Sequence, residues 1–167
     1  MGLYIFYDNS NIFLEGQWAA GRADGKRGPH PEFRIDYGQL ISVCAEGRAV
    51  TQANLYGSVP PDNDSLWRAI RAQGWKVKTL ERNYAGKEKG LDIEIALDMN
   101  DLSREVDPPG TMILLAVDGD YQTLIPRLQE KHWEIEIGFY QNVAQSIRTL
   151  ANRFISLEDR LHEIRFK

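Results

Sequence analysis

Two runs of apolar residues dominate the hydropathy pattern of the chain, and each ends in acidic residues. Met112–Val117 is followed by DGD at 118–120, and Leu3–Tyr7 is followed by DNSN at 8–11. A continuous apolar run bounded by turn residues is typical of a parallel strand that is buried on both faces. We therefore predict that these two strands lie side by side at the centre of a parallel sheet. Their acidic ends should meet at its carboxyl edge, where open α/β sheets bind ligands.

Helix and strand patterns alternate along the rest of the chain, which indicates βαβ units. Further strands are predicted at Ala49–Tyr56, Trp75–Leu80 and Glu134–Phe139, with an edge strand at Arg153–Ser156. Helices are predicted at about 12–18, 35–45, 62–73, 91–106, 121–131 and 145–151. Because parallel connections are right-handed, this order predicts one α/β domain over residues 1–167, with a mostly parallel sheet covered by helices on both faces.

Residues 20–34 interrupt this alternation, because they are rich in glycine, proline and charge and show no apolar period. A long loop insertion is predicted there, and long loops in compact domains are often functional. The segment carries the densest basic group of the chain: Arg22, Lys26, Arg27, His30 and Arg34. Two interpretations stay open at this point, a solvated insertion and a flap that meets phosphates.

Composition narrows the class of protein. The chain has 167 residues with 20 basic and 24 acidic side chains, a net charge of −4, which argues against non-specific coating of nucleic acid. No apolar run approaches the roughly 20 residues that span a bilayer, and no signal-peptide pattern is present. A single cysteine excludes an internal disulfide and a cysteine-based zinc site. A cytoplasmic protein without membrane partners is therefore expected.

Four aspartates are candidates for one metal site: Asp8, Asp92, Asp118 and Asp120. Clustered carboxylates need a compensating charge, and oxygen ligands without histidine or cysteine favour Mg²⁺ or Mn²⁺. Such ions serve phosphoryl transfer. Each acid also has an ordinary structural explanation: Asp8 as a turn residue, Asp120 as a helix cap, and Asp92 as a first-turn acid that favours the helix dipole.

Asp98 lies on the same predicted helix as Asp92 but on the other side of its apolar stripe. The two positions are roughly 120° apart around the helix and about 9 Å apart along its axis. They are therefore poorly placed to share one ion. Asp98 is better explained as an acid that fixes a loop, as a partner of a metal ligand, or as a surface charge.

Four segments carry a resemblance to a known family: DNSNIF at 8–13, KGLDIEIALDM at 89–99, LLAVDGDYQTLIPRLQEKHWEIEI at 114–137 and QSIRTLANRFISL at 145–157. In order and spacing they resemble the NYN domain family, in its LabA-like bacterial branch. The resemblance covers nearly the whole chain except residues 20–34. It implies a Rossmann-like, PIN-like three-layer α/β/α sandwich and a metal-dependent ribonuclease that uses Mg²⁺ or Mn²⁺.

The resemblance also implies roles for individual residues. Asp8, Asn11, Asp92, Asp118 and Asp120 match the active-site positions of the family, and Asp98 matches a further recurrent aspartate.

Substrate contacts are expected from Ser10 and from the basic residues Arg82, Lys87 and Lys89, while Tyr84 or Trp18 could stack on a base. The expected partner is RNA, single-stranded or structured, and a homodimer is compatible with the sequence.

One departure from the family pattern supports a second hypothesis. The family usually has Ser-Gly before the Asp-Gly-Asp segment, whereas this chain has Ala116-Val117 and so lacks a hydroxyl that could hold a water or a phosphate oxygen. The alternative is a catalytically weak or inactive module that binds RNA or protein. A dinucleotide-dependent oxidoreductase is disfavoured, because no glycine-rich fingerprint follows the first strand. An aspartyl-phosphate phosphatase is disfavoured because Ser10 stands where its second acid would be.

Overall fold

The computed structural model of the protein describes residues 1–59, 64–81, 90–116, 121–141 and 143–167. Six parallel strands form one sheet in the order β3-β2-β1-β4-β5-β6. The strands are β1 Leu3–Asp8, β2 Gln52–Val59, β3 Trp75–Glu81, β4 Thr111–Leu115, β5 Glu134–Phe139 and β6 Arg153–Ser156. The helices are α1 Asn9–Ala23, α2 Tyr37–Ala45, α3 Asp64–Ala72, α4 Leu91–Glu105, α5 Tyr121–Glu130, α6 Gln145–Leu150 and α7 Leu161–Ile164. The predicted fold class is thus confirmed.

The two strands that end in acids lie next to each other at the centre of the sheet. β1 pairs with β4 in parallel, with Tyr7 opposite Leu115. Every residue from Leu3 to Tyr7 is buried, as is every residue from Met112 to Leu115. This adjacency confirms the prediction from the two apolar runs, since only strands covered on both faces can be apolar throughout.

Two apolar clusters, one on each face of the sheet, make the three layers. One cluster joins the sheet to α1, α2, α3 and α7, with Ile12, Leu40 and Ile70 fully buried. The other joins it to α4, α5 and α6, with Ile95 and Ile125 fully buried. None of the helices in the described ranges is both long and apolar enough to cross a membrane.

Helix α1 is longer than the sequence pattern suggests, and this changes the boundary of the predicted insertion. The helix continues to Ala23, so residues 20–23 are helical rather than part of a loop. Ala20 and Gly21 are buried, and a Cβ on Gly21 would lie 1.8 Å from the carbonyl oxygen of Gly28. Small residues allow this close approach. They also produce no apolar periodicity from which this end of the helix could be predicted. The segment after the helix is also packed, with Phe33 buried.

An ion pair with a buried carboxylate joins the end of α2 to the sheet. Glu136 on β5 is buried, and its carboxylate accepts hydrogen bonds from both terminal nitrogens of Arg48, at 2.6 and 2.8 Å. The same guanidinium donates to the carbonyl oxygens of Ala45 and Cys44 at 2.8 and 3.0 Å. Arg48 therefore links the carboxyl end of α2 to β5, and β2 begins at Gln52 rather than at the predicted Ala49.

Candidate active site

The first component of the site is the junction of β1 and α1. Asp8 is the last residue of β1 and also the N-cap of α1, with an extended backbone. Its Oδ1 accepts a hydrogen bond from the backbone N–H of Asn11 at 3.3 Å. Aspartate is among the residues that best satisfy the free N–H groups at a helix start. The cap fixes the orientation of the Asp8 carboxylate at the carboxyl edge of the sheet.

The second component is the start of α4. Gly90 precedes the helix with φ of +80°, a left-handed conformation that glycine adopts at little cost. Its carbonyl oxygen accepts the N–H of Glu94 at 2.8 Å, so the helix is hydrogen-bonded from its first turn. Asp92 is the second residue of α4 and is half-buried. The turn at Gly90 thereby delivers the Asp92 side chain to the same edge of the sheet as Asp8.

The two helix starts border one open cavity of about 300 Å³. Its walls include Asp8 and Asp92, together with the predicted Asn11 and Ser10. The residues come from segments that are far apart in the chain, so the fold brings these four candidates together. The lining is completed by Leu14, Gly90 and Leu91.

Several predicted site residues lie outside the described part of the chain. These are Asp118, Asp120, Arg82, Lys87 and Lys89, as well as the possible stacking residue Tyr84. Among the residues that the structure describes, no three histidine, cysteine, aspartate or glutamate side chains are close enough to hold a metal ion. The described acidic part of the cavity is therefore a pair of carboxylates, Asp8 and Asp92.

Asp98 lies away from this cavity. Its Oδ2 accepts hydrogen bonds from the Tyr56 hydroxyl at 2.8 Å and from Lys78 Nζ at 3.2 Å. Burial, together with the hydrogen bond to Asp98, raises the pKa of Tyr56 well above its ordinary value. Asp98 borders a separate cavity of about 460 Å³ between α4 and the β2–β3 half of the sheet. These two hydrogen bonds connect Asp98 on α4 to β2 and β3, which fits the interpretation of Asp98 as an acid that fixes neighbouring segments.

The chain matches the model of one protein family, the NYN domain, over residues 2–158. It belongs to the NYN domain family. This confirms the family predicted from the four motifs, while assignment to the LabA-like branch remains a prediction. The NYN domain is a fold of the PIN-like nuclease type, which is the architecture described above.

A solved structure supports the fold. A protein of unknown function from Vibrio parahaemolyticus superposes with a TM-score of 0.70 over 99% of this chain and 96% of its own, at 20% sequence identity. At this identity the likeness extends to the fold alone. No curated protein matches the sequence.

Three of the five basic residues of the predicted insertion have side-chain contacts within this NYN domain, whereas Lys26 and Arg27 are exposed. Arg22 forms a bidentate ion pair with Glu158 at 2.7 and 3.2 Å, and His30 lies 3.4 Å from Asp24. Arg34 differs, because the hydrogen bonds of its guanidinium in the described structure go to the carbonyl oxygens of Pro31 and Phe33. Of these three, Arg34 is therefore the one best placed to meet a phosphate.

Leu14 forms one wall of the cavity but was not among the site residues predicted from the sequence, although its helical spacing from Asn11 indicates this position. Leu14 is exposed at 57% and borders the cavity next to Asn11. Residues three apart on a helix lie on the same face, so the spacing from Asn11 predicts that Leu14 faces the site. Trp18, exposed at 47%, follows four residues later on the same face.

Proposed function

We propose that this NYN domain is a metal-dependent ribonuclease that hydrolyses RNA phosphodiesters with Mg²⁺ or Mn²⁺. The observation that supports the proposal best is the convergence of Asp8 and Asp92 on one open cavity at the carboxyl edge of the sheet. A half-buried pair of like charges is unfavourable without a cation. Asp118 and Asp120 complete the proposed ligand set, because they follow the neighbouring strand β4 in the chain.

The donor set of the cavity fits a hard cation. Its polar side chains are two carboxylates, one amide and one hydroxyl, and the described lining includes neither histidine nor cysteine. Oxygen-rich sites of this kind select Mg²⁺ or Mn²⁺ over softer metals. Asp8 and Asp92 would hold the ion, which would supply positive charge to the phosphate and lower the pKa of a bound water.

The remaining residues of the cavity would position the substrate. Ser10 and Asn11 lie in the first turn of α1 and line the cavity, so the Ser10 hydroxyl and the Asn11 side-chain amide would donate hydrogen bonds to a phosphate oxygen. The side chains of Arg82, Lys87 and Lys89 would contact neighbouring phosphates, since they belong to the segment that leads from β3 to Gly90 in the chain. An acidic protein with net charge −4 needs such local positive charge to accept RNA.

The decisive experiment compares wild type with Asp8→Asn, Asp92→Asn and a matched control, Asp101→Asn. Asp101 is an exposed acid on the same helix as Asp92, but it borders the separate Asp98 cavity. Each protein is incubated with labelled single-stranded and structured RNA in Mn²⁺, Mg²⁺ or chelator. We expect the two site variants to lose at least about 100-fold in cleavage rate, because each removes a charged ligand from the ion. The control should cleave like wild type.

Cleavage that survives in Asp8→Asn, or that persists in chelator, would contradict the proposal. The alternative is a weak or inactive module that binds RNA or protein, and Ala116 favours it. Ala116 is buried in the apolar cluster beneath α4 and offers no hydroxyl where the family usually has serine. Metal-independent RNA binding without cleavage by wild type would support this alternative.

A further inference from the structure

A third concavity, here called the aromatic groove, lies on the face of the sheet covered by α1 and α3. It has a volume of about 450 Å³, and its walls are mainly apolar: Phe13, Ile35, Tyr37, Leu66, Ile70 and Phe166. Pockets of this size with aromatic walls and few polar groups are the usual form of a ligand site. Nothing in the proposed hydrolysis uses these side chains.

The lining of the groove and the lining of the acidic cavity include two consecutive residues of the chain, Asn9 and Asp8. Asn9 borders the groove and directly follows Asp8, which borders the cavity. The Asn9 side-chain oxygen accepts a hydrogen bond from the Tyr37 hydroxyl at 3.2 Å. Burial raises the pKa of Tyr37 to about 12, so this hydroxyl stays a neutral donor at physiological pH. The groove therefore starts beside the proposed site of hydrolysis and has a polar end there.

The charge of the groove also distinguishes it from the other concavities. Arg34 is the one charged residue in its described lining, and the described ion pairs give its guanidinium no carboxylate partner. The cavity around Asp98, by contrast, is bordered by three acids and two lysines. An apolar groove with a single unneutralised guanidinium at its rim suits a ligand that combines a flat apolar ring with a phosphate.

The backbone that carries the exposed aromatic ring at the rim is anchored to the neighbouring segment. Phe166 is exposed at 63%, and its N–H donates to the Arg34 carbonyl oxygen at 2.8 Å. Arg165 bridges to Ile35 in an antiparallel pair, and its guanidinium binds both carboxylate oxygens of Asp24, at 2.7 and 3.0 Å. A ring on an anchored backbone loses little conformational freedom when a ligand stacks on it.

We propose that the aromatic groove binds a nucleobase of the RNA strand beside the phosphodiester at the acidic cavity, with Arg34 on an adjacent phosphate. This inference rests on the proposed function and deepens it, because it assigns the substrate as unpaired RNA. A base in a duplex is stacked on its neighbours and cannot enter such a groove, whereas a splayed base in a single strand can.

The test measures binding rather than cleavage. The affinity of the full chain for a fluorescent single-stranded oligoribonucleotide and for the matching duplex is measured by anisotropy in chelator. Phe166→Ala removes the exposed ring, Leu66→Trp fills the groove from a partly exposed position, and Arg34→Met removes the charge. Leu97→Ala and Arg104→Met are matched controls, because both side chains are exposed on α4 on the opposite face of the sheet.

We expect Phe166→Ala to weaken single-strand binding by roughly tenfold, since stacking on an aromatic ring contributes that much or more. Leu66→Trp should weaken it by a similar factor, because the indole would occupy the space of the base. Arg34→Met should also reduce the magnitude of the slope of log affinity against log salt concentration by the amount that corresponds to about one phosphate contact. The two controls should bind within about twofold of wild type, and thermal midpoints close to wild type would show that the variants fold.

The two proposals fail separately. The groove assignment would be overturned if all three groove variants bound RNA with wild-type affinity while cleavage still depended on Asp8. The groove would then be a candidate site for a protein partner. Equal affinity for single strand and duplex would overturn the groove assignment as well. Weaker binding in the groove variants of a protein that cleaves no RNA would uphold the groove and overturn the nuclease proposal.

Discussion

The buried pair between Arg48 and Glu136 should be a major contributor to the stability of the fold. We predict that Arg48→Met lowers the free energy of unfolding by about 3 kcal/mol, because it leaves the Glu136 carboxylate buried without its partner. The Glu136 side chain is exposed at 8%, and Arg153 at 3.7 Å is too distant to replace the two lost hydrogen bonds.

The magnitude follows from the contacts. Two charge-assisted hydrogen bonds would contribute about 3–6 kcal/mol together if both ends were fully buried. The Arg48 side chain is exposed at 35%, so solvent screens part of this interaction and the lower value is appropriate. Glu136→Gln should cost less, about 1–2 kcal/mol, because the partly exposed guanidinium keeps its bonds to Ala45 and Cys44.

The assay is urea unfolding at 25 °C of wild type, both single variants and the double variant, which gives the coupling energy of the pair. Arg165→Met serves as a control, since its pair with Asp24 is more exposed to solvent. We expect a coupling of about 1–2 kcal/mol between the two positions, the usual range for residues in direct contact. Additive effects in the double variant, or a loss in Arg48→Met no larger than in Arg165→Met, would refute the reasoning.

Three further predictions test other parts of the structure. Gly21→Ala should lower the free energy of unfolding by about 1–3 kcal/mol, because its Cβ would lie 1.8 Å from the Gly28 carbonyl oxygen, whereas Gly28→Ala meets open space; equal urea midpoints for the two variants would contradict this packing. Burial raises the pKa of the Cys44 thiol to about 12, so a thiol reagent at pH 8 should label the protein only in denaturant. Since the unfolded thiol ionises near pH 9, the Cys44 contribution to stability should be complete below that pH and decrease as the pH rises toward 12, which urea unfolding at several pH values would show. Saturating Mn²⁺ should raise the thermal midpoint of wild type and not of Asp8→Asn, because an ion that binds only the folded state stabilises it; equal shifts would mean that the ion binds elsewhere.

The sequence predicted those features of the fold that depend on local periodicity. The stripe of Leu91, Ile95, Met99 and Leu102 predicted α4; the first three side chains are buried, and Leu102 is partly buried against the same cluster. The same periodicity separated Asp92 from Asp98, which border different cavities in the structure. The adjacency of β1 and β4 could also be predicted, because only strands covered on both faces carry unbroken apolar runs.

Features that depend on tertiary packing could not be predicted in this way. The last turn of α1 consists of small residues such as Ala20 and Gly21, whose value lies in close approach rather than in hydrophobicity. The aromatic groove joins Phe13, Leu66 and Phe166, which come from three distant segments and have no shared spacing in the chain. The basic residues of the predicted insertion also gave no sign that Arg22 is paired with Glu158.

The position of β1 has a consequence for the way the chain folds during synthesis. β1 precedes every other strand in the sequence, yet it lies at the centre and pairs with both β2 and β4. Its neighbour β4 begins only at Thr111, so one side of β1 stays unpaired until most of the chain has left the ribosome. Such long-range pairing slows folding and leaves apolar segments exposed for longer, when chaperones can bind them. Asp8 and Asp92 come from the end of β1 and the start of α4, so the cavity that they border forms only when these distant segments pack against one sheet.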